Sequence, residues 1–143
     1  MNVSVDASVW LAALSHKEKD HAICEDLLSM LVKREIELHQ PGLFVIEVCA
    51  TVARRTRNRA MALAVGRTTL ATPGLVLHEL DHQLAAEAAE VAATCALRGA
   101  DAVYVATARH AQATLVTLDR EVRDRAGLVA VVRTPAECLK AMM

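Results

Sequence analysis

The sequence predicts an α/β domain with a three-layer α/β/α arrangement, in which helices cover both faces of a mostly parallel sheet. Two observations lead to this fold class. Short apolar, β-branched segments alternate with longer segments of helical periodicity, as in sheets built from strand–helix–strand crossovers. Hydrophobic residues make up 54% of the 143 residues and aromatic residues only 2%, which suits strands buried on both faces. A chain of this length is expected to fold as one domain, residues 1–143.

The first half of the chain is predicted to form two strands and three helices. The β-branched run Asn-Val-Ser-Val indicates the first strand, and apolar residues at helical spacing then indicate a helix. Pro41 and Gly42 stop the second strand, and Thr-Pro-Gly breaks the chain after the third helix. The predicted elements are a strand at 2–5, a helix from 8 to about 34, a strand ending at Pro41, and helices at 43–57 and about 59–70.

The second half is predicted to contain three strands and four helices. Gly99 is expected to end the long Ala-rich helix, and Gly127 to end a short helix further on. Thr134, Pro135 and Glu137 have the spacing of a capping box with proline in the first turn, which predicts a last helix. The other predicted elements are a strand at 75–80, helices at 81–98 and 101–112, a strand at 114–118, a helix at 119–126 and a strand at 128–132.

Four acidic residues are predicted to meet at one edge of the sheet. Asp6 ends the first strand, and Asp119 follows the fourth. Asp101 opens a helix, and Glu47 lies about one turn inside another helix, among apolar residues. Since parallel strands bring their carboxyl ends together, the four carboxylates are expected to face one crevice.

Each acid also has a simpler interpretation. Any of the three aspartates is a good candidate for a helix cap. Glu47 is expected, in that simpler case, to lie at the helix edge and pair with Arg54 or Arg109. A shared metal site explains all four at once, because four carboxylates in one pocket stay ionised only beside a cation. Oxygen ligands favour Mg²⁺ or Mn²⁺, and such sites serve phosphodiester hydrolysis.

The acidic segments resemble a known family. In chain order they read VDASVW, IEVCATVARR, GADAVYVATA and LVTLDREVRDRA. They look like the successive acidic motifs of PIN-domain ribonucleases, most closely those of VapC-type toxins, and the resemblance covers essentially the whole chain. It implies an α/β/α domain that cleaves RNA endonucleolytically with Mg²⁺ or Mn²⁺, pairs as a homodimer, and belongs to a toxin–antitoxin system with an antitoxin protein as partner.

The resemblance also implies roles for individual residues. It places a set of four acids in the metal-binding and catalytic positions: Asp6, Glu47, Asp101 and Asp119. Thr117 and Ser8 take hydroxyl positions beside these acids, and Asp124 is either an auxiliary acid or a solvated helix residue. The main alternative is a PIN-fold scaffold that binds RNA or protein through a silent site.

A basic segment follows Glu47 directly. It contributes Arg54, Arg55, Arg57 and Arg59, which are predicted to contact RNA phosphates. The alternative is a solvated helix end, where cations favour the dipole. The whole chain offers no basic field, since 16 Lys and Arg face 17 Asp and Glu. With so few aromatic residues, a platform for stacking bases is not expected.

A rival motif occurs at residues 78–82, which read HELDH. On a helix, His78 and His82 would bind Zn²⁺ and Glu79 would be the general base of a metalloprotease. The preceding segment is apolar and follows a Pro-Gly break, so His78 is expected at the end of a strand and Asp81 at the cap of the next helix. The protease is therefore a remote alternative.

Several sequence features that would indicate other kinds of protein are absent. The glycines form no phosphate-binding loop. The widely spaced cysteines, without a C-x-x-C pair, predict free buried thiols. The N-terminal residues lack the pattern of a signal peptide, and no apolar run approaches the roughly 18 residues of a membrane span. We therefore expect a cytoplasmic protein with no membrane partner.

Overall fold

A computed structural model describes all residues from 1 to 143. None of its helices is long and apolar enough to cross a membrane. The elements in chain order are β1 Asn2–Val5, α1 Ala7–Leu14, α2 His21–Lys33, β2 Leu38–Pro41, α3 Leu43–Thr56, α4 Arg59–Leu70, β3 Leu75–His78, α5 His82–Cys95, α6 Gly99–His110, β4 Ala113–Val116, α7 Arg120–Ala126, β5 Val132–Arg133 and α8 Pro135–Met142.

The five strands form one sheet in the order β3-β2-β1-β4-β5, and every neighbouring pair is parallel. The chain first builds outward from β1 to β2 and β3, and then returns to the other side of β1 as β4. Right-handed crossovers in opposite directions place α1–α4 and α5–α6 on opposite faces. The predicted fold class is confirmed, and the strand order reverses between β1 and β4, where such sheets bind ligands.

The core lies between the sheet and its helices. It is a cluster of 29 buried residues, and the two central strands contribute Val3, Val5, Leu115 and Val116, all with no exposed surface. Trp10 and Phe44 are buried against each other edge to face, with ring centroids 5.3 Å apart. Both rings therefore belong to the core.

The predicted helix from 8 to 34 is wrong in one respect, because the structure divides it into α1 and α2. Ser15 is extended rather than helical, and the six residues after Leu14 connect the two helices. His21 Nδ1 lies 2.9 Å from the carbonyl oxygen of Ala12 across this break. The connecting Ser-His-Lys-Glu-Lys-Asp includes good helix formers, so local propensity did not reveal the break.

Element boundaries in the second half also differ from the prediction, most clearly at the last strand and at the end of the Ala-rich helix. The last strand is Val132–Arg133 rather than 128–132, because the N–H groups of Val129 and Ala130 bond back to the Ala126 carbonyl and extend the turn. The Ala-rich helix ends at Cys95, with Ala96 left-handed at φ 52°, and Gly99 begins the next helix. The capping box at the start of α8 is confirmed.

Gly74 is expected to be the glycine that the fold requires. Its φ is +76°, and a Cβ there would lie 3.1 Å from the Ile36 carbonyl oxygen. Gly74→Ala should therefore lower the free energy of unfolding by about 1–2 kcal/mol, measured by urea denaturation. Gly42 is the matched control, since its φ is −55° and a Cβ there meets nothing within 4 Å. Equal urea midpoints for Gly74→Ala and Gly42→Ala would show that the turn does not need glycine.

Candidate active site

The candidate site lies at the carboxyl ends of β1 and β4. Asp6 follows β1 directly, and its backbone N–H donates to the Val116 carbonyl at 3.0 Å. The same residue caps α1. The prediction that Asp6 caps a helix and the prediction that it faces the crevice are therefore compatible, because the cap stands at the strand's carboxyl end.

Two hydroxyl groups hold the Asp6 carboxylate. The Ser8 backbone N–H donates to Oδ1 at 2.6 Å, and the Ser8 hydroxyl donates to the same oxygen. The Thr117 hydroxyl donates to Oδ2, and this threonine is fully buried. The structure thus brings together the first acid and both hydroxyls that the sequence singled out, and it fixes the orientation of the Asp6 carboxylate.

Asp119 is tied to the same hydroxyl. Its backbone N–H donates to Thr117 Oγ1 at 3.0 Å. Its carboxylate caps α7 by accepting from the N–H groups of Glu121 at 2.8 Å and Val122 at 3.4 Å. One threonine side chain therefore links the acid that follows β1 to the acid that follows β4.

Glu47 reaches the site from α3. It is half-buried, and with Ser8 it lines a cavity of about 360 Å³. It makes no ion pair with Arg54 or Arg109, and its Oε1 is buried without a hydrogen-bond partner. The expected helix-edge ion pair is wrong, and the carboxylate points inward.

Burial and neighbouring charges raise the pKa values of two of the acids. The pKa of Glu47 is raised first by desolvation and then by the charges of Asp6 and Asp101. The pKa of Asp101, in the first turn of α6, is raised first by desolvation and then by Asp119 and Asp6. These mutual effects are those of carboxylates that lie near one another, and we call the space between Asp6, Glu47, Asp101 and Asp119 the acidic crevice.

The acidic crevice is open. No three acidic, histidine or cysteine side chains lie close enough together to hold a metal ion as they stand. A charge shifts its neighbour's pKa over longer distances than a coordination bond spans, so the two observations agree.

Tyr104 belongs to the same region, and sequence reasoning missed it. The side chain is 3% exposed, and its hydroxyl lies near Glu47 and the Ala7 backbone without completing a hydrogen bond to either. Burial raises its pKa, and the charges of Glu47 and Asp6 raise it further, so the phenol stays protonated. The only signal in the sequence is a hydroxyl one turn after Asp101 within the apolar run of α6.

A comparison with known families covers this same part of the chain. The sequence model of the PIN domain matches residues 3–128, which include all four acids. The chain belongs to the PIN-domain family. The family resemblance of its acidic motifs is thereby confirmed, whereas a comparison with curated proteins gives no significant match.

Solved structures share the fold of this PIN domain. VapC20 of Mycobacterium tuberculosis, described as a sarcin–ricin loop cleaving toxin, is 16% identical, with a TM-score of 0.72 over 86% of this chain and 94% of that one. VapBC2 of Rickettsia felis, bound to promoter DNA, is 13% identical, with a TM-score of 0.72 over 94% and 98%. A toxin–antitoxin complex from Klebsiella pneumoniae is 16% identical, with a TM-score of 0.69 over 94% and 98%.

The arginines of this PIN domain divide into two groups. Arg54 and Arg55 line the same cavity as Glu47, and Arg55 pairs with Glu18 at 3.1 Å. Arg57 and Arg59 are exposed but do not line that cavity. The structure therefore brings two of the four predicted arginines to the cavity that Glu47 lines.

One arginine of α7 forms hydrogen bonds with the backbone of the turn before that helix. Arg123 donates to the carbonyls of Leu118 at 3.0 Å and Thr117 at 3.5 Å. It fixes the turn that carries Asp119. Asp124 is exposed, and its only ionic partner is Arg120 at 3.5 Å, so the structure does not bring it to the four acids.

The metalloprotease interpretation of HELDH is wrong. His78 ends β3, Asp81 caps α5 through the Leu84 N–H, and His82 begins that helix, so the two histidines do not share a helix face. His78 Nε2 instead lies 2.9 Å from His39 Nδ1. Burial lowers the pKa of His78, and the neighbouring charges of His39 and His110 lower it further.

Charge repulsion in the acidic crevice gives a prediction for stability. The folded protein holds the Glu47 proton more tightly than the unfolded chain does, so metal-free wild type should lose stability as pH rises from about 4.5 through the raised pKa. Glu47→Gln removes this loss, and its melting temperature should exceed that of wild type at pH 8 but not at pH 4.

Glu90→Gln is the matched control for this measurement, because Glu90 is an exposed helical residue with no ion pair. It should leave the melting temperature nearly unchanged at both pH values. A Glu47→Gln melting temperature below that of wild type at pH 8 would contradict the repulsion.

Proposed function

We propose that this PIN domain, folded as one unit over residues 1–143, is a Mg²⁺- or Mn²⁺-dependent endoribonuclease and the toxin of a toxin–antitoxin pair. The observation that carries the proposal is the acidic crevice at the strand-order reversal. At its border, Thr117 forms hydrogen bonds with both Asp6 and Asp119. The other two acids of the crevice, Glu47 and Asp101, have raised pKa values. PIN domains are typically nucleases, and clustered carboxylates suit the hydrolysis of phosphodiester bonds.

The residues of the crevice fit a divalent cation. All four acids offer oxygen ligands, which suit Mg²⁺ and Mn²⁺ rather than Zn²⁺. Glu47 Oε1 is buried with no hydrogen-bond partner, a costly arrangement that a cation would relieve. A bound ion would supply an activated water and neutralise charge that develops on the phosphate. Asp6, Glu47, Asp101 and Asp119 would hold it.

The other residues orient this set. The Ser8 N–H, the Ser8 hydroxyl and the Thr117 hydroxyl occupy three of the four lone pairs of the Asp6 carboxylate, which leaves one on Oδ2 for a cation. Tyr104 keeps its proton, and its hydroxyl can donate a hydrogen bond to the neighbouring Glu47 carboxylate. Arg123 holds the turn that carries Asp119.

RNA is the substrate that the basic residues favour. Arg54 and Arg55 lie beside Glu47, where they would contact phosphates that flank the scissile bond, and Arg57 and Arg59 extend the row along the chain. Trp10, which the fold buries, offers no surface for a base to stack on. Binding should therefore depend on backbone and shape, and weaken steeply with salt.

The partner is proposed from the structural neighbours. Two of them are toxin–antitoxin assemblies, and a third is described as an RNA-cleaving toxin. We infer an antitoxin protein that covers the crevice, a homodimer as the active form, and the cytoplasm, where RNA is available, as the place of action. The alternative of a silent scaffold lacks a reason for the buried, unpartnered Glu47 carboxylate.

Calorimetric titration of Mn²⁺ tests the metal site without knowledge of the RNA. Wild type should bind Mn²⁺, and Asp6→Asn and Asp101→Asn should bind at least about tenfold more weakly, since each removes a charged ligand. Glu79→Gln is the control from the rejected protease motif and should bind like wild type. Uptake of Zn²⁺ but not Mn²⁺ by wild type would refute the proposed centre.

Cleavage of total cellular RNA tests the activity. Wild type with Mn²⁺ should produce discrete fragments, and Asp6→Asn should reduce the rate by about 100-fold or more, a loss typical of removing a group that stabilises the transition state. Chelation by EDTA should stop cleavage. Mn²⁺ binding without cleavage of any RNA would favour the scaffold.

A further inference from the structure

We propose that Gln40 is a positioning residue for Asp6: its side-chain amide replaces a backbone donor that Pro41 removes from the sheet. The inference rests on the proposed function in one respect, namely that Asp6 is a ligand of the metal. The contacts that support it are independent of that function. They concern the peptide group between Val5 and Asp6.

The first step is the pairing of β1 with β2. These strands share a single register pair, Val3↔Leu38, whereas β1 pairs with β4 over four residues and β2 pairs with β3 over four residues. The Val3 N–H donates to the Glu37 carbonyl at 3.2 Å. No second register pair joins β1 to β2 at the carboxyl end of β1.

The second step is the identity of the missing donor. A parallel ladder advances two residues at a time, so the next bonds after Val3 would join Val5 to the residues on either side of Gln40. In this register the N–H of residue 41 would donate to the Val5 carbonyl. Residue 41 is proline, which has no N–H. The backbone of β2 cannot satisfy the Val5 carbonyl.

The third step is the replacement. Gln40 Nε2 donates to the Val5 carbonyl at 2.8 Å, and Gln40 Oε1 accepts from the Ser4 hydroxyl at 3.0 Å. Gln40 and Ser4 have no exposed surface. A buried amide is costly unless its groups are paired, so a glutamine in the middle of the sheet needs such partners.

The consequence concerns Asp6. The peptide group between Val5 and Asp6 is held at both polar atoms, with its C=O bound by Gln40 from β2 and its N–H bound by the Val116 carbonyl from β4. The orientation of this peptide sets the backbone of Asp6, and with it the direction of the carboxylate. Gln40 acts on the crevice through Asp6 and touches no substrate.

A set of four proteins tests this role: wild type, Gln40→Leu, the double variant Gln40→Leu/Pro41→Ala, and Asn2→Leu. Gln40→Leu keeps the volume and removes the donor. Pro41→Ala returns a backbone N–H at the position that the register assigns to Val5. Asn2→Leu is the matched control, because the Asn2 amide also joins a carbonyl, that of Ala111 at 2.9 Å, at the opposite end of β1.

Two measurements follow for each protein. The first is hydrogen exchange at the Asp6 and Ser8 amides, corrected for the change in global stability, and it needs no metal. The second is Mn²⁺ affinity by calorimetry. Gln40→Leu should speed exchange at these two amides beyond the global effect and weaken Mn²⁺ binding by about tenfold, as is typical for residues behind metal ligands. Asn2→Leu should do neither.

The double variant separates positioning from simple stability. It should recover most of the Mn²⁺ affinity and the slow exchange at Asp6, because the restored N–H serves the same carbonyl. Unchanged exchange and affinity in Gln40→Leu, or no recovery in the double variant, would overturn the role of Gln40 and leave the metal site intact. If wild type binds no Mn²⁺ but the exchange results hold, the proposed function fails while the positioning of Asp6 stands.

Discussion

The fold has to hold four like charges around one open space, and most of the local structure near the crevice answers that constraint. Asp6 and Asp119 are fixed by hydrogen bonds from Ser8, Thr117 and the first turn of α7. Glu47 and Asp101 have less support, and burial and repulsion raise their pKa values. Hydrogen bonds thus hold two of the four carboxylates in place, whereas burial and repulsion destabilise the negative charge of the other two. The divalent cation of the proposed function would offset the cost of these charges.

The reversal of strand order explains why these residues meet. β1 is central, so its carboxyl end is bordered by β2 on one side and by β4 on the other. Residues that directly follow β1 and β4 are neighbours, although more than 100 positions separate them, as the Thr117–Asp6 hydrogen bond shows. Glu47 and Asp101 come from helices that belong to opposite faces of the sheet. The site therefore exists only when the whole domain is folded, and no single segment of the chain contains it.

Features that depend on the local sequence pattern could be predicted from the sequence. Contacts that depend on the register of the strands could not. The parallel sheet, the acids at strand ends and the capping box of α8 all follow from spacing and residue type, and the structure shows them. Gln40 and Arg123 could not be identified, because their partners are carbonyl groups that only the strand pairing and the α7 turn bring near. Tyr104 looked like one more apolar position in a helix. The break between α1 and α2 was missed because its residues favour a helix.

Charge also decides how a polyanion can approach this site. The four carboxylates repel phosphate, while Arg54 and Arg55, which line a cavity with Glu47, attract it. Each divalent cation that the proposed site would hold offsets two of the four negative charges and leaves the arginines as they are, so metal and RNA should favour each other's binding. By the same reasoning, a protein partner that inserts a cationic side chain would compete with the metal for the carboxylates. The net charge of −1 conceals this arrangement, because Arg54 and Arg55 lie beside one of the four acids, Glu47, rather than far from it.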